Sequence, residues 1–176
     1  MTLYESIPVF GDWFQLRFVE NQGMAFGLSF GGNIGKLILS LFRLLISGFL
    51  IYYVINLIKK EKVDALVLSI FSLIIAGALG NIIDSCFYGI IFSESTIYEV
   101  ATAFPAEGGY SQFLYGKVVD MFCFELFYIP KWVPFWGGVH FFPAIFNIAD
   151  SCVTVGLIGL LIFNKRVFIE NKQKKH

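Results

Sequence analysis

Long apolar stretches separated by polar segments dominate the pattern of this chain. Three of them are long enough to cross about 30 Å of hydrocarbon, which needs about 20 residues: 36–58, 65–83 and 141–163. The first segment, 1–33, differs, because residues 13–19 alternate in the way a half-exposed strand does. A long loop, 89–140, separates the second and third stretches. The pattern predicts an all-α membrane protein, a polytopic bundle with three spans and a small outer β element in one domain, 1–176.

Composition supports a membrane protein and excludes several other classes. Of the 176 residues, 57% are hydrophobic and 15% are charged, whereas a soluble domain carries about 25% charged residues. Thirteen basic and thirteen acidic residues leave no net positive charge, so nucleic-acid binding is not expected. Three cysteines without CxxC spacing and only two histidines form no metal-ligand pattern, so no metal site is expected.

The basic residues predict the orientation of the spans. Lys59, Lys60 and Lys62 lie between the first two spans, and five Lys or Arg residues follow the third, so both segments should be cytoplasmic. Segments 1–33 and 89–140 are then expected outside. This arrangement puts the N-terminus outside as well, which predicts a further span upstream.

Aromatic residues cluster where the long loop returns to the membrane. They are Trp132, Phe135, Trp136, Phe141 and Phe142. Aromatic side chains concentrate at lipid–water boundaries, so an interfacial belt is the favoured interpretation and a binding site the alternative.

Polar residues interrupt the second and third apolar stretches with the same spacing. Asn81 and Asp84, and Asn147 and Asp150, both read Asn-x-x-Asp, which would place amide and carboxylate on one helical face toward the same neighbour. If the third span begins near Phe142, Asp150 lies about 12 Å along it. A carboxylate inside hydrocarbon costs several kcal/mol unless it is paired, hydrated or protonated, which indicates a functional site. Interhelical polar contact is the plainer interpretation.

Asp120 lies in an apolar run of the outer loop, 116–122. A second carboxylate brought onto a membrane-buried one suits an aspartyl hydrolase, in which one acid activates water and the other protonates the departing group. An ion-coupled transporter subunit using Asp84 and Asp150 is the main alternative, although three spans without an inverted repeat argue against it. A membrane scaffold would tolerate Asn at both aspartates.

Four motifs follow one another in a specific order: ENQGMAF at 20–26, GALGNIID at 77–84, GKVVD at 116–120 and FNIADS at 146–151. With this set the chain resembles lipoprotein signal peptidase, the type II signal peptidase of bacteria. The resemblance implies an intramembrane aspartic endopeptidase that removes signal peptides from prolipoproteins by cutting before the cysteine that carries diacylglycerol. It also implies a multi-pass protein of the bacterial inner membrane with its active site toward the periplasmic face.

The resemblance also assigns residues. It implies that Asp120 and Asp150 form the catalytic dyad, and that further residues orient the dyad and the scissile backbone or support it: Asn21, Asn81, Asn147 and Asp84. The implied partners are a prolipoprotein with diacylglyceryl-cysteine and membrane lipid. Neither a metal nor an organic cofactor is implied, and a monomer is expected.

The chain departs from the family pattern in three places. Family members usually begin with another transmembrane helix carrying Asp and Lys, and this chain starts where that helix would have ended. The family commonly has Arg directly after the Asp of Gly-Asn-x-x-Asp, where this sequence has Ser85, so Arg17 or Lys117 would have to replace it. Segment 89–115 is an insertion relative to shorter members, and a longer lid over the substrate lipid is the expectation.

Overall fold

A computed structural model describes residues 1–22, 32–59, 64–142 and 144–168. Several features used above lie outside these residues: residues 23–26 of the first motif, Lys60, Lys62 and the basic tail at 169–176. The elements, in chain order, are β1 (Ser6–Phe10), β2 (Phe14–Asn21), α1 (Gly32–Ile58), α2 (Ala65–Ile83), a π-helical segment (Asp84–Tyr88), α3 (Gly89–Ile91), β3 (Val118–Phe124), β4 (Ile145–Phe146), α4 (Ile148–Ile162) and α5 (Asn164–Phe168).

The chain divides into two compact units. The sheet unit comprises Met1–Leu37 and Asp84–Asn147, and the helix unit comprises Ile38–Ile83 and Ile148–His176. Asn21, Asp84, Asp120 and Asn147 belong to the sheet unit, whereas Asn81 and Asp150 belong to the helix unit.

The sheet unit contains a four-stranded antiparallel sheet in the order β1-β2-β3-β4. The strand predicted from the alternation near the N-terminus is confirmed as β2. The prediction of a loop over 89–140 is wrong for β3, whose β-branched and aromatic residues suit a pleated surface. An apolar run without alternation cannot be distinguished from a buried segment by periodicity, which is why this strand was not predicted. Phe14 and Phe124 face each other across β2 and β3, with ring centroids 4.7 Å apart.

Among the described residues, two helical stretches are long and apolar enough to cross a membrane. One is α1, and the other runs from α2 through the π-helical segment to the end of α3, over Ala65–Ile91. Each has 27 residues, or about 40 Å at 1.5 Å per residue. The second stretch continues past the boundary predicted at residue 83, so Asp84 lies inside a continuous helical stretch.

The third predicted span begins later than the sequence suggested. Residues Ile145 and Phe146 pair with β3 as β4, and this pairing delays the helix until Ile148. Because α4 has 15 residues, it measures about 22 Å, short of the hydrocarbon thickness. Because α4 begins at Ile148, Asp150 lies in its first turn. The predicted position of Asp150, about 12 Å along the third span, is wrong.

Small residues bring α2 and α4 close together in the helix unit. A Cβ atom placed on Gly77 would lie 2.8 Å from Val153 Cγ2, and one placed on Gly156 would lie 2.5 Å from Ile74 Cγ1. Such contacts are possible only without a side chain, as in other closely packed membrane helices. An apolar cluster completes the packing of this unit: Leu57, Val67, Phe71 and Val167.

Candidate functional site

Asp120 is the centre of a hydrogen-bonded cluster in the sheet unit. It lies in β3 opposite Val19 of β2, and only 4% of its surface is exposed. The Asn21 side-chain amide donates to Asp120 Oδ2 at 3.0 Å, and the Asn147 amide donates to Oδ1 at 2.9 Å. Both carboxylate oxygens thus accept an amide N–H. Strand pairing explains the first bond, because Asn21 stands opposite Val118, two positions from Asp120 on the same face.

Asn147 reaches Asp120 from the link between β4 and α4. Its amide also donates to the carbonyl oxygen of Val119 at 3.2 Å, which fixes the side chain against β3. The expectation that Asn147 and Asp150 share a helical face is wrong, because the helix begins only after Asn147.

Asp84 supports the same strand from the π-helical segment. Its Oδ2 accepts a hydrogen bond from the backbone N–H of Val119 at 3.2 Å, one residue before Asp120. Single π-turns inside helices are frequent at functional sites because they redirect side chains. Asp84 therefore positions the backbone of the strand that carries Asp120.

Gly116 allows the start of β3 to lie directly on the π-helical segment. Its N–H donates to the Ser85 carbonyl oxygen at 2.8 Å. A Cβ atom at Gly116 would collide with the Asp84 carbonyl oxygen. Glycine is therefore required where the third motif meets the second.

Asp150 lies in the helix unit with one sequence-predicted partner. The Asn81 amide of α2 donates to Asp150 Oδ1 at 2.8 Å. The first turn of a helix favours an anion, because unpaired N–H groups and the helix dipole point toward it. Asn81 thus bonds to α4 whereas Asp84 bonds to β3, so these two residues serve different elements.

A charged cluster in the sheet unit was missing from the sequence prediction. Lys117 Nζ lies 2.6 Å from Glu20 Oε2 and 5.0 Å from the centre of the Tyr110 ring. The Tyr110 hydroxyl accepts the backbone N–H of Lys117 at 2.7 Å. Burial, reinforced by Glu20, Asp84 and Glu94, raises the pKa of Tyr110 to about 12, against the effect of that bond. The sequence offered one indication of this cluster, since Glu20 belongs to the motif at 20–26 and Lys117 to the motif at 116–120.

Lys117 and Arg17, the two residues expected to replace the family arginine, both form ion pairs within the sheet unit. Lys117 forms ion pairs with Glu20 and, at 3.8 Å, with Glu94. Arg17 pairs with Glu125 at 3.3 Å. Ser85 itself is buried. Within the described ranges, no group of three or more His, Cys, Asp or Glu residues is placed to hold a metal ion.

Comparison with known sequences gives a family match over most of the chain. The family model described as signal peptidase (SPase) II matches residues 1–165. A lipoprotein signal peptidase of Porphyromonas gingivalis is 52% identical over 158 residues, covering 88% of this chain and 68% of the relative. Another, from Amoebophilus asiaticus, is 34% identical over 175 residues, covering 97% and 69%.

Two solved structures have a similar fold, and both are described as bacterial membrane enzymes obtained by the in meso method. The one at 1.9 Å resolution is 25% identical with a TM-score of 0.57, covering 92% of this chain and 76% of the other. The one at 2.3 Å is 23% identical with a TM-score of 0.56, covering 100% and 77%. Taken with the match over residues 1–165, these similarities confirm what the four motifs predicted: the chain belongs to the signal peptidase II family.

Proposed function

We propose that this chain removes signal peptides from prolipoproteins by aspartic catalysis, using Asp120 and Asp150 and cutting before the lipidated cysteine. Family membership supports the protease activity and the substrate class. The observation that carries the catalytic assignment is the matching environment of the two acids. Each carboxylate accepts hydrogen bonds from asparagine amides, two for Asp120 and one for Asp150.

Amide donors suit acids that must exchange a proton. An asparagine is neutral and does not titrate, so it orients a carboxylate without supplying a permanent opposite charge. Two acids oriented in this way can hold one proton between them and divide the roles of base and acid.

Chain connectivity supports the assignment of these two acids to one site. Asn147, which donates to Asp120, precedes Asp150 by three residues in the sequence. Three residues span at most about 11 Å. The residue that bonds to one aspartate is therefore a near neighbour of the other aspartate in the sequence.

In the proposed reaction the ionised aspartate removes a proton from water while the oxygen adds to the scissile carbonyl carbon. The protonated aspartate gives its proton to the amide nitrogen as the carbon–nitrogen bond breaks. The products are the carboxylate of the signal peptide and the amino group of the lipidated cysteine. The asparagines Asn21, Asn81 and Asn147 hold both acids in place during this exchange, and Asp84 holds the strand backbone.

The membrane topology is part of the proposal. Backbone bonds from Phe163 to Gly159 and from Val167 to Phe163 continue the helical pattern from α4 into α5. The combined stretch Ile148–Phe168 would reach about 31 Å, enough for a third span. We place the sheet unit on the periplasmic face of the inner membrane, where a translocated lipoprotein precursor would meet Asp120.

The test is cleavage of a diacylglyceryl-modified prolipoprotein in detergent. Asp120→Asn and Asp150→Asn should each lower the rate about 10²–10⁴-fold, the usual contribution of general acid–base catalysis. Asp12→Asn, which changes an exposed aspartate of the sheet unit, is the matched control. Parent-like cleavage by both site variants would reject the dyad and favour a scaffold role for these residues. The ion-coupled transporter is disfavoured by the family match.

A further inference from the structure

The segment after β3 folds back on itself as a hairpin loop over residues 127–141, closed by an isolated β-bridge between Tyr128 and His140 and by further backbone bonds. The Ile129 N–H donates to the Val139 carbonyl oxygen at 2.9 Å, and the Phe141 N–H donates to that of Phe127 at 2.7 Å. The rings of Phe127 and Phe141 stack across the base of the hairpin, with centroids 4.7 Å apart and planes 8° apart. These contacts give the hairpin a defined base.

The tip of the hairpin is shaped by its own backbone. The Gly137 N–H donates to the Val133 carbonyl oxygen at 2.9 Å, and the Val133 N–H donates to that of Pro130 at 3.0 Å. A Cβ atom on Gly137 would lie 2.6–2.7 Å from three carbonyl oxygens, so only glycine fits there. The turn is therefore a compact structure and presents its side chains in fixed directions.

Three aromatic side chains at this tip point away from the rest of the sheet unit. Trp132, Phe135 and Trp136 are 81%, 103% and 68% exposed. Phe135 also has a φ of 66°, a conformation that costs free energy for any residue with a Cβ atom. The backbone thus holds a bulky aromatic ring outward at an energetic cost, without any packing in this unit to offset it.

We propose that this tip, formed by Trp132, Phe135 and Trp136, inserts into the interfacial region of the lipid bilayer and anchors the sheet unit there. Trp concentrates at that depth because its ring is apolar and its N–H can still bond to water and headgroups. The composition agrees, since Lys131 is the only Asp, Glu, Lys or Arg residue between 126 and 149. One lysine beside an aromatic tip can bind the phosphate of a lipid headgroup. A soluble protein partner would find no other charged side chain in this segment with which to form an ion pair.

Tryptophan fluorescence tests the proposal directly, because the chain has only three tryptophans. The Trp13→Phe variant leaves Trp132 and Trp136 as the reporters. We expect their emission to be blue-shifted in phosphatidylcholine vesicles and to lose intensity when the lipid carries bromine near the headgroup end of its acyl chains. Bromine near the chain ends should quench them less, and aqueous iodide should reach them poorly.

Phe135→Ser in the same background should reduce the quenching by brominated lipid, because it removes the most exposed ring of the tip. Phe104→Ser is the matched control: Phe104 is also exposed, at 80%, and also has a positive φ, 54°, but lies in another loop. It should leave the quenching unchanged. A variant with Trp only at position 135 (Trp13→Phe, Trp132→Phe, Trp136→Phe, Phe135→Trp) keeps the tip aromatic and should report the same depth.

Three results would overturn the anchor. Emission characteristic of water, with free access to iodide and no quenching by bromine, would show that the tip stays in solvent. Quenching by bromine that appears only after a prolipoprotein is added would make the hairpin a cover for substrate. Equal effects of Phe135→Ser and Phe104→Ser would show that the tip is not the element that enters the lipid.

Discussion

The close crossing of α2 and α4 makes Gly77 a position where one added methyl group should have a large effect. Gly77→Ala places a Cβ atom 2.8 Å from Val153 Cγ2 and in collision with the Ala149 carbonyl oxygen. Ordinary contact begins at 3.4 Å, so the Val153 methyl alone would have to retreat by about 0.6 Å. A backbone oxygen cannot move away by changing rotamer, so the helices themselves must separate.

Overpacking of this kind costs about 1–3 kcal/mol. The matched control is Gly48→Ala in α1, because a Cβ atom there meets nothing within 4 Å. Alanine is the better helix former by about 0.5–1 kcal/mol, so the control should be neutral or more stable. The two variants should therefore differ by about 1–4 kcal/mol, or roughly 2–16 °C in Tm for a chain of this size.

The same substitution should also affect catalysis. Ala149 precedes Asp150, and Gly77 lies one helical turn before Asn81, so separating the helices stretches the 2.8 Å bond between Asn81 and Asp150. A displacement of about 0.6 Å would bring that bond close to the limit of hydrogen bonding. Thermal unfolding in detergent and prolipoprotein cleavage measure the two effects. Equal Tm values and equal rates for Gly77→Ala and Gly48→Ala would refute the close crossing and its link to Asp150.

Lys117→Met should destabilise the fold by about 1–3 kcal/mol, because it leaves the buried Glu20 carboxylate without its cation. Arg17→Met breaks a more exposed ion pair and should cost less than about 1 kcal/mol. Equal losses of stability in denaturant titrations would contradict this difference. Asn147→Ala should lower kcat while KM stays near the parent value, since Asn147 orients the Asp120 carboxylate. Asn164→Ala, at an exposed position, should change neither kcat nor KM. A change confined to KM would contradict an orienting role for Asn147. Burial raises the pKa of the Cys123 thiol, so less thiolate forms at pH 8. Alkylation of Cys123, followed by mass spectrometry, should therefore require denaturant. Rapid alkylation of the folded protein would argue against the burial of this thiol.

Local pattern alone determined much of this protein. Apolar length predicted the two long helical stretches, because a segment that crosses hydrocarbon needs a minimum number of apolar residues whatever surrounds it. Alternation predicted β2, because successive side chains of a strand point to opposite faces. The ordered motifs predicted the family, which the comparisons confirmed.

Tertiary structure decided the features that depend on contacts distant in sequence. Residues 145–146 are apolar enough for a membrane helix, yet they pair with β3, so α4 starts at Ile148 and Asp150 lies at its beginning. Asp84 continues the pattern of α2, but a π-turn there directs its carboxylate to the Val119 N–H. Hydrogen bonds to Asp120 join residues 99 and 27 positions apart. Sequence periodicity describes which face a residue occupies within its own element, whereas the partner on that face is chosen by how separate elements pack.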